Sequence, residues 1–172
     1  RAGVCRGGPA VKRVAARALF GAWRLKRWEI VRADGSLTEP FGRDAEGLIL
    51  YTADGWMSAT IMAAGRAPLS HPNPRLAPPG ERAAAFDTYF SYGGRWRVVD
   101  GSVHHEVLVA LNPTMTGTVQ VRGARLTART LHLSAVERDG SSTREHRIAW
   151  RRPTRKEYGR RHTMDKNLVK QK

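Results

Sequence analysis

The sequence predicts an all-β protein: an eight-stranded antiparallel up-and-down β-barrel with a short N-terminal helix and one helix inserted after the third strand. Three observations point there. Between Trp23 and Arg152 the chain breaks into about eight short segments of alternating apolar and polar residues, as expected of strands with one face buried. The separators are short and rich in Gly, Asn, Asp and Pro, which suits antiparallel neighbours joined by tight turns. Eight strands closed on themselves remove both sheet edges and leave an interior wide enough for one small ligand.

A length of 172 residues matches one domain with a self-sufficient core. The net charge of +15 suggests a nucleic-acid partner until its distribution is considered. Residues 1–18 hold five Lys or Arg and no acid, and residues 151–172 hold nine against Glu157 and Asp165. The ends therefore carry +12, and residues 19–150 only +3. A nearly balanced body with basic ends is no basic groove. The single cysteine, Cys5, rules out an intrachain disulfide and suits a reducing compartment. No apolar run resembles a signal peptide or a membrane span, so a cytoplasmic protein is expected. The division expected is a basic leader over 1–18, partly helical or disordered, a barrel over 19–152, and a basic disordered tail over 153–172.

Val11, Val14, Ala18 and Leu19 fall near helical spacing, predicting a short helix anchored by Leu19 and Phe20. The first strand, Trp23 to Val31, changes apolar parity between Leu25 and Trp28, which predicts a bulge near Lys26 and Arg27. Asp34-Gly35 marks a turn. Gly47–Thr52 and Trp56–Met62 read as a hairpin across Ala53-Asp54-Gly55, with Gly55 supplying a positive φ. Five of the nine prolines lie between residues 63 and 80, which excludes a helix or central strand there. From Gly80 to Ser91, Ala83, Phe86 and Phe90 repeat at helical spacing beside Ala85, Tyr89 and Tyr92. This predicts an aromatic helix able to cover the barrel mouth. Five more strands follow: Arg95–Asp100, Val103–Leu111, Thr118–Gly123, Arg129–Glu137 and Thr143–Arg152.

Several linked motifs then carry a resemblance. Phe20-Gly21-Ala22-Trp23, Tyr51-Thr52-Ala53-Asp54-Gly55 with Met57-Ser58, and Ala84-Ala85-Phe86 with Tyr89 and Tyr92-Gly93-Gly94 occur in order. Val103-His104-His105, Leu111-Asn112-Pro113, Gly117-Thr118 with Gln120 and Arg122, and Trp150-Arg151-Arg152 continue the series. Over residues 19–152 the chain resembles the bacterial and fungal lipocalin-like domain family, of calycin type. The resemblance implies a barrel with an interior for a small, mostly apolar molecule, serving a carrier or an isomerase or cyclase of secondary metabolism. It also implies that an Arg of the last strand lies over the Trp of the first. Gly21, Trp23 and Arg152, or Arg151 if a bulge intervenes, would close one barrel end through a cation–π contact.

His105 shares parity with Val103, Val107, Val109 and Leu111 and should face the interior, while His104 faces out with Glu106. Three roles stay open for His105: a core histidine bonded to a tyrosine or a carbonyl, a ligand contact, or a proton-transfer group. Gln120 and Arg122 share a face opposite Val119 and Val121, and that face reads as solvated. A parity reversal would instead bring Arg122 inside to meet an acidic head group. Tyr51, Trp56, Tyr89, Tyr92 and Trp96 are candidate cavity or mouth residues. No nucleophile motif, phosphate loop, dinucleotide fingerprint or zinc spacing is present, so no cofactor or metal is expected. The expected function is binding of a small hydrophobic or amphipathic molecule. The alternatives are an isomerase or cyclase using His105, and non-specific nucleic-acid binding through the basic ends.

Overall fold

A computed structural model describes residues 14–140, 142–155 and 157. The expectations for residues 1–13 and 158–172, including tail-mediated nucleic-acid binding, lie outside the described residues. One turn of 3-10 helix, Ala16–Ala18, leads in with Val14 and Leu19 buried beside it. Leu19 is the anchor, whereas Phe20 stays partly exposed and meets the edge of Trp96.

Strand β1, Gly21–Arg32, pairs with both β3, Glu46–Tyr51, and the last strand, β9, Ser142–Arg151, which closes the barrel. The register with β9 shifts between Leu25 and Arg27, so Lys26 is the extra residue of a bulge. Two-residue periodicity cannot otherwise keep both Trp23 and Trp28 inside. The end of β1 forms a small hairpin with β2, Leu37–Thr38, across the Asp34-Gly35 turn. Next come β4, Trp56–Met62, the helix α1, Pro79–Asp87, and then β5, Tyr89–Val99; β6, Ser102–Ala110; β7, Val119–Thr127; and β8, Thr130–Asp139. Every neighbouring pair is antiparallel, so β1 and β3 to β9 form a closed eight-stranded up-and-down barrel with β2 appended.

Three elements depart from the sequence expectation. Helix α1 stops at Asp87, and Tyr89, Phe90 and Tyr92 belong to β5, where Tyr89 pairs with Met62 and Phe90 with Ile61. Sheet pairing overrides the helical spacing of the aromatics because a neighbouring strand satisfies their backbone groups and buries alternate side chains. The helix buries none of its residues and rests on the surface, tied by Arg66 to the Ala85 carbonyl and by Glu81 to Ser70. Strand β7 runs through Gly123 to Thr127, where a turn was expected. In β6, Leu108 is the extra residue of a second bulge opposite Gly93 and Gly94, so Val107 is buried while Val109 faces outward against expectation. Gly94 fits this bulge because a Cβ there would stand 1.9 Å from the Glu106 carbonyl oxygen.

The core holds Trp23, Ile49, Tyr51, Met57, Ile61, Trp96, Val103, Leu131 and Trp150. It fills the end where β1 starts and β9 finishes. Towards the other end the walls separate. Strands β7 and β8 pair only from Gly123 with Ser134 to Thr127 with Thr130. Beyond that, Val119–Arg122 pair only with β6, and Ala135–Asp139 only with β9. The barrel is therefore closed at one end and parted between β7 and β8 at the other. Its contacts also continue past Arg152: Pro153 is buried, and Glu157 bridges Arg24 and Arg151.

Candidate functional site

At the closed end, Gly21 takes a φ of +97°, which turns the chain from the helical turn into β1. Trp23 is buried and donates its indole N–H to the Leu19 carbonyl at 2.8 Å. The Arg152 guanidinium carbon lies 3.7 Å from the Trp23 ring centroid, and its nitrogens donate to the carbonyls of Phe20 and Ala18 at 2.7 and 2.8 Å. Arg151 points to the outer face, where it holds Glu157 in a bidentate pair at 2.7 and 2.9 Å. Arg152 thus covers Trp23 at this end of the barrel.

His105 lies in the middle of the barrel, fully buried, between two tyrosines. Its Nε2 is 2.9 Å from the Tyr51 hydroxyl and its Nδ1 2.8 Å from the Tyr92 hydroxyl. Burial, aided by the Arg122 and His104 charges, pushes its pKa down to about 3, so the imidazole is neutral at physiological pH. Burial also raises both tyrosine pKa values, so the hydroxyls keep their protons. The Arg122 charge and a side-chain hydrogen bond from Arg122 oppose that rise at Tyr92. Trp96, packed on Tyr51 at 4.6 Å, donates to the Thr52 carbonyl and completes the lower core.

Above this layer the interior is hollow. A cavity of about 620 Å³ is lined by Trp28, Phe90, Met115, Ala135 and Ile148, with Gln120, Arg122, Glu137 and His146 as its polar groups, and it reaches the parted edges of β7 and β8. Trp28 stacks on His146, meets Phe41 edge-on at 5.3 Å and lies 5.8 Å from Phe90. The Trp28 indole N–H donates to His146 Nδ1 at 3.3 Å, so the His146 proton sits on Nε2 and goes to Glu137 at 3.0 Å. Burial lowers the His146 pKa against the opposing pull of Glu137. Glu137 also accepts two bonds from Arg144 at 2.9 Å, which hold its carboxyl below the usual range.

Arg122 and Gln120 face this interior, while Val119 and Val121 are about half exposed outside. The solvated-face expectation is therefore overturned. No bulge in β7 is required. The antiparallel register sets Arg122 opposite Val103 and Gln120 opposite His105, and directly paired residues share a face.

Two other candidates lie outside. Trp56, 46% exposed at the start of β4, carries Arg95 stacked 4.6 Å above its ring on the outer surface. Tyr89 faces out under Arg66, 5.1 Å away, because strand alternation places Phe90 and Tyr92 inside. Trp28, Phe90 and His146 are interior groups that sequence reasoning did not single out. For Trp28, the bulge at Lys26 was the available signal. Larger depressions, of about 770 and 730 Å³, are open grooves on the outer wall edged by ion-paired Arg27, Arg147 and Arg24. Among the described residues, no group of three or more His, Cys, Asp or Glu side chains is placed to hold a metal ion, and no helix is long and apolar enough to cross a membrane.

A family model described as a lipocalin-like domain matches residues 20–153, the stretch that forms the barrel. No curated protein matches the chain, and no solved structure does. Because that match covers more than three-quarters of the chain and coincides with a closed eight-stranded barrel, the protein belongs to the lipocalin-like domain family.

Proposed function

We propose that the protein binds a small amphipathic molecule inside the barrel, with its apolar body against Trp28, Phe90, Met115 and Ile148. The observation that carries this reading is the cavity of about 620 Å³ at the parted end. Ligand pockets span about 300–1,000 Å³ and combine apolar walls with a few convergent polar groups, the composition found here. The covered end fits the same reading, with entry between the parted edges of β7 and β8. A cytoplasmic setting suits a chain with a single cysteine.

The isomerase or cyclase alternative, with His105 as acid or base, draws less support. Both imidazole nitrogens are engaged by tyrosines, the residue has no exposed surface, and its depressed pKa leaves it unprotonated near neutrality. A catalytic group must reach the substrate proton within hydrogen-bond distance.

The test uses a neutral fluorescent probe, N-phenylnaphthylamine, with wild type and an Ala135→Trp variant that fills the cavity. Saturable, blue-shifted emission from wild type and its loss in a folded Ala135→Trp protein are expected. Equal binding by the variant removes the interior as the site.

A further inference from the structure

The polar groups of the cavity are balanced except at one residue. Glu137 is the only carboxylate among the lining side chains, and its oxygens are taken by Arg144, at 2.9 Å twice, and by His146 at 3.0 Å. His146 accepts from Trp28 and donates to Glu137, and His105 lies between Tyr51 and Tyr92. Each of these groups has partners that match its donors and acceptors. Arg122 does not. Its described contacts are the Gln120 amide oxygen at 3.3 Å and the Tyr92 hydroxyl, both neutral, and no carboxylate lies within ion-pair distance among the described residues. The charge of the same guanidinium adds to burial in lowering the pKa of His105 and of His146. A half-buried cation without an anion forgoes much of its hydration and receives no pairing in return.

Position adds to the argument. Arg122 is the last β7 residue before Gly123, where pairing with β8 begins, so it stands where the parted strands rejoin. A molecule entering between Val119–Arg122 and Ala135–Glu137 meets that guanidinium while its apolar body lies against Trp28 and Phe90. The planar fork of Arg matches a carboxylate in geometry as well as charge.

We infer that the cavity selects molecules with one carboxylate, held at Arg122 with the Tyr92 hydroxyl and the Gln120 side chain beside it. This inference rests on the ligand-binding reading and specifies its head group. A single acid is specified because the charges of Glu137 and Arg144 offset one another, leaving one positive charge for the ligand.

The experiment measures decanoate and decanol binding by calorimetry to wild type, Arg122→Gln and Arg122→Lys, with the naphthylamine probe run alongside. Wild type is expected to prefer decanoate by about tenfold or more, the scale of a charge-assisted bond. Arg122→Gln should erase the preference while leaving decanol affinity unchanged, and Arg122→Lys should restore part of it. If decanol binds wild type as tightly as decanoate, or Arg122→Gln keeps the preference, the head-group inference falls and the ligand-binding reading stands. If neither alkyl probe nor the naphthylamine binds, both fall. Thermal melting of Arg122→Met supplies a readout independent of ligand. Removing a cation without an anion should leave Tm unchanged or higher, and a marked drop would assign Arg122 to holding the fold and overturn the inference.

Discussion

The Arg152 guanidinium lies 3.7 Å from the centroid of the Trp23 ring, and the same group donates to the carbonyls of Ala18 and Phe20. One side chain thus joins the last strand, the first strand and the leading helical turn. Arg152→Ala should destabilise the protein by about 2–3 kcal/mol, the combined scale of a cation–π contact and charged hydrogen bonds. Arg152→Lys should recover less than half, since an ammonium does not stack flat while bonding two carbonyls. Urea unfolding with an unchanged m-value checks both. A loss below about 0.5 kcal/mol for the alanine variant would mean that the closed end is held by other contacts.

Gly94→Ala should be more damaging than most glycine substitutions in this chain. The added Cβ would meet the Glu106 carbonyl oxygen at 1.9 Å and the Leu108 amide at 2.9 Å, both backbone atoms of the bulge. A loss of about 2 kcal/mol or more is expected, read as a shifted urea midpoint. Gly65→Ala offers a control: nothing lies within 4 Å of its added Cβ, so its strain is confined to a positive φ of +64°.

Stability should fall as the solution is acidified below the usual histidine range. The His105 pKa in the folded protein is about 3, against 6.5 for an ordinary histidine, so between these values the unfolded chain binds the extra proton. The His105 contribution is complete above about pH 6.5 and is lost as pH falls towards 3, by about 1.4 kcal/mol per pH unit. His132 and His146, also lowered by burial, act in the same direction. Comparing His105→Gln with wild type across this range isolates the His105 share. Parallel curves for the two proteins would contradict the assignment.

Removing either tyrosine hydroxyl should leave one His105 nitrogen without its partner. Tyr51→Phe and Tyr92→Phe are each expected to cost about 1–3 kcal/mol, the scale of an orphaned buried polar group. Combined with His105→Phe, either change should cost less than the sum of the singles, because the partner it orphans is already gone. Additive losses in a double-mutant cycle would show that the bonds carry no stabilising energy.

Much of the barrel was legible in the chain because strands write their burial into a two-residue alternation. The parity change between Leu25 and Trp28 located the bulge at Lys26, and Ala53-Asp54-Gly55 located a hairpin with Gly55 at φ +88°. The inward position of His105 followed from the same rule. The rule misled where a second bulge was hidden. Leu108 gives no parity signal of its own, since Val107, Leu108 and Val109 are all apolar, and Val109 turns outward only because Gly94 lets the β6 backbone come close. At α1, Phe86, Phe90 and Tyr89 fit a helical stripe as well as a strand, and the competition was decided by β4, whose Met62 pairs with Tyr89.

The site shows the same division at higher resolution. Local sequence determined which residues alternate and where most turns fall, because those properties depend on neighbours in the chain, whereas the meeting of an Arg of the last strand with the Trp of the first was implied by the family resemblance alone. Local sequence did not determine which side of β7 faces in. Val119 and Val121 are the apolar pair and Arg122 the charged one, so hydrophobic patterning alone places the arginine outside. The register with β6 reverses that assignment, setting Arg122 beside Val103 and Gln120 beside His105. That register is a property of β6 and β7 together and is not written in the pattern of β7 alone, so the tertiary structure decides it.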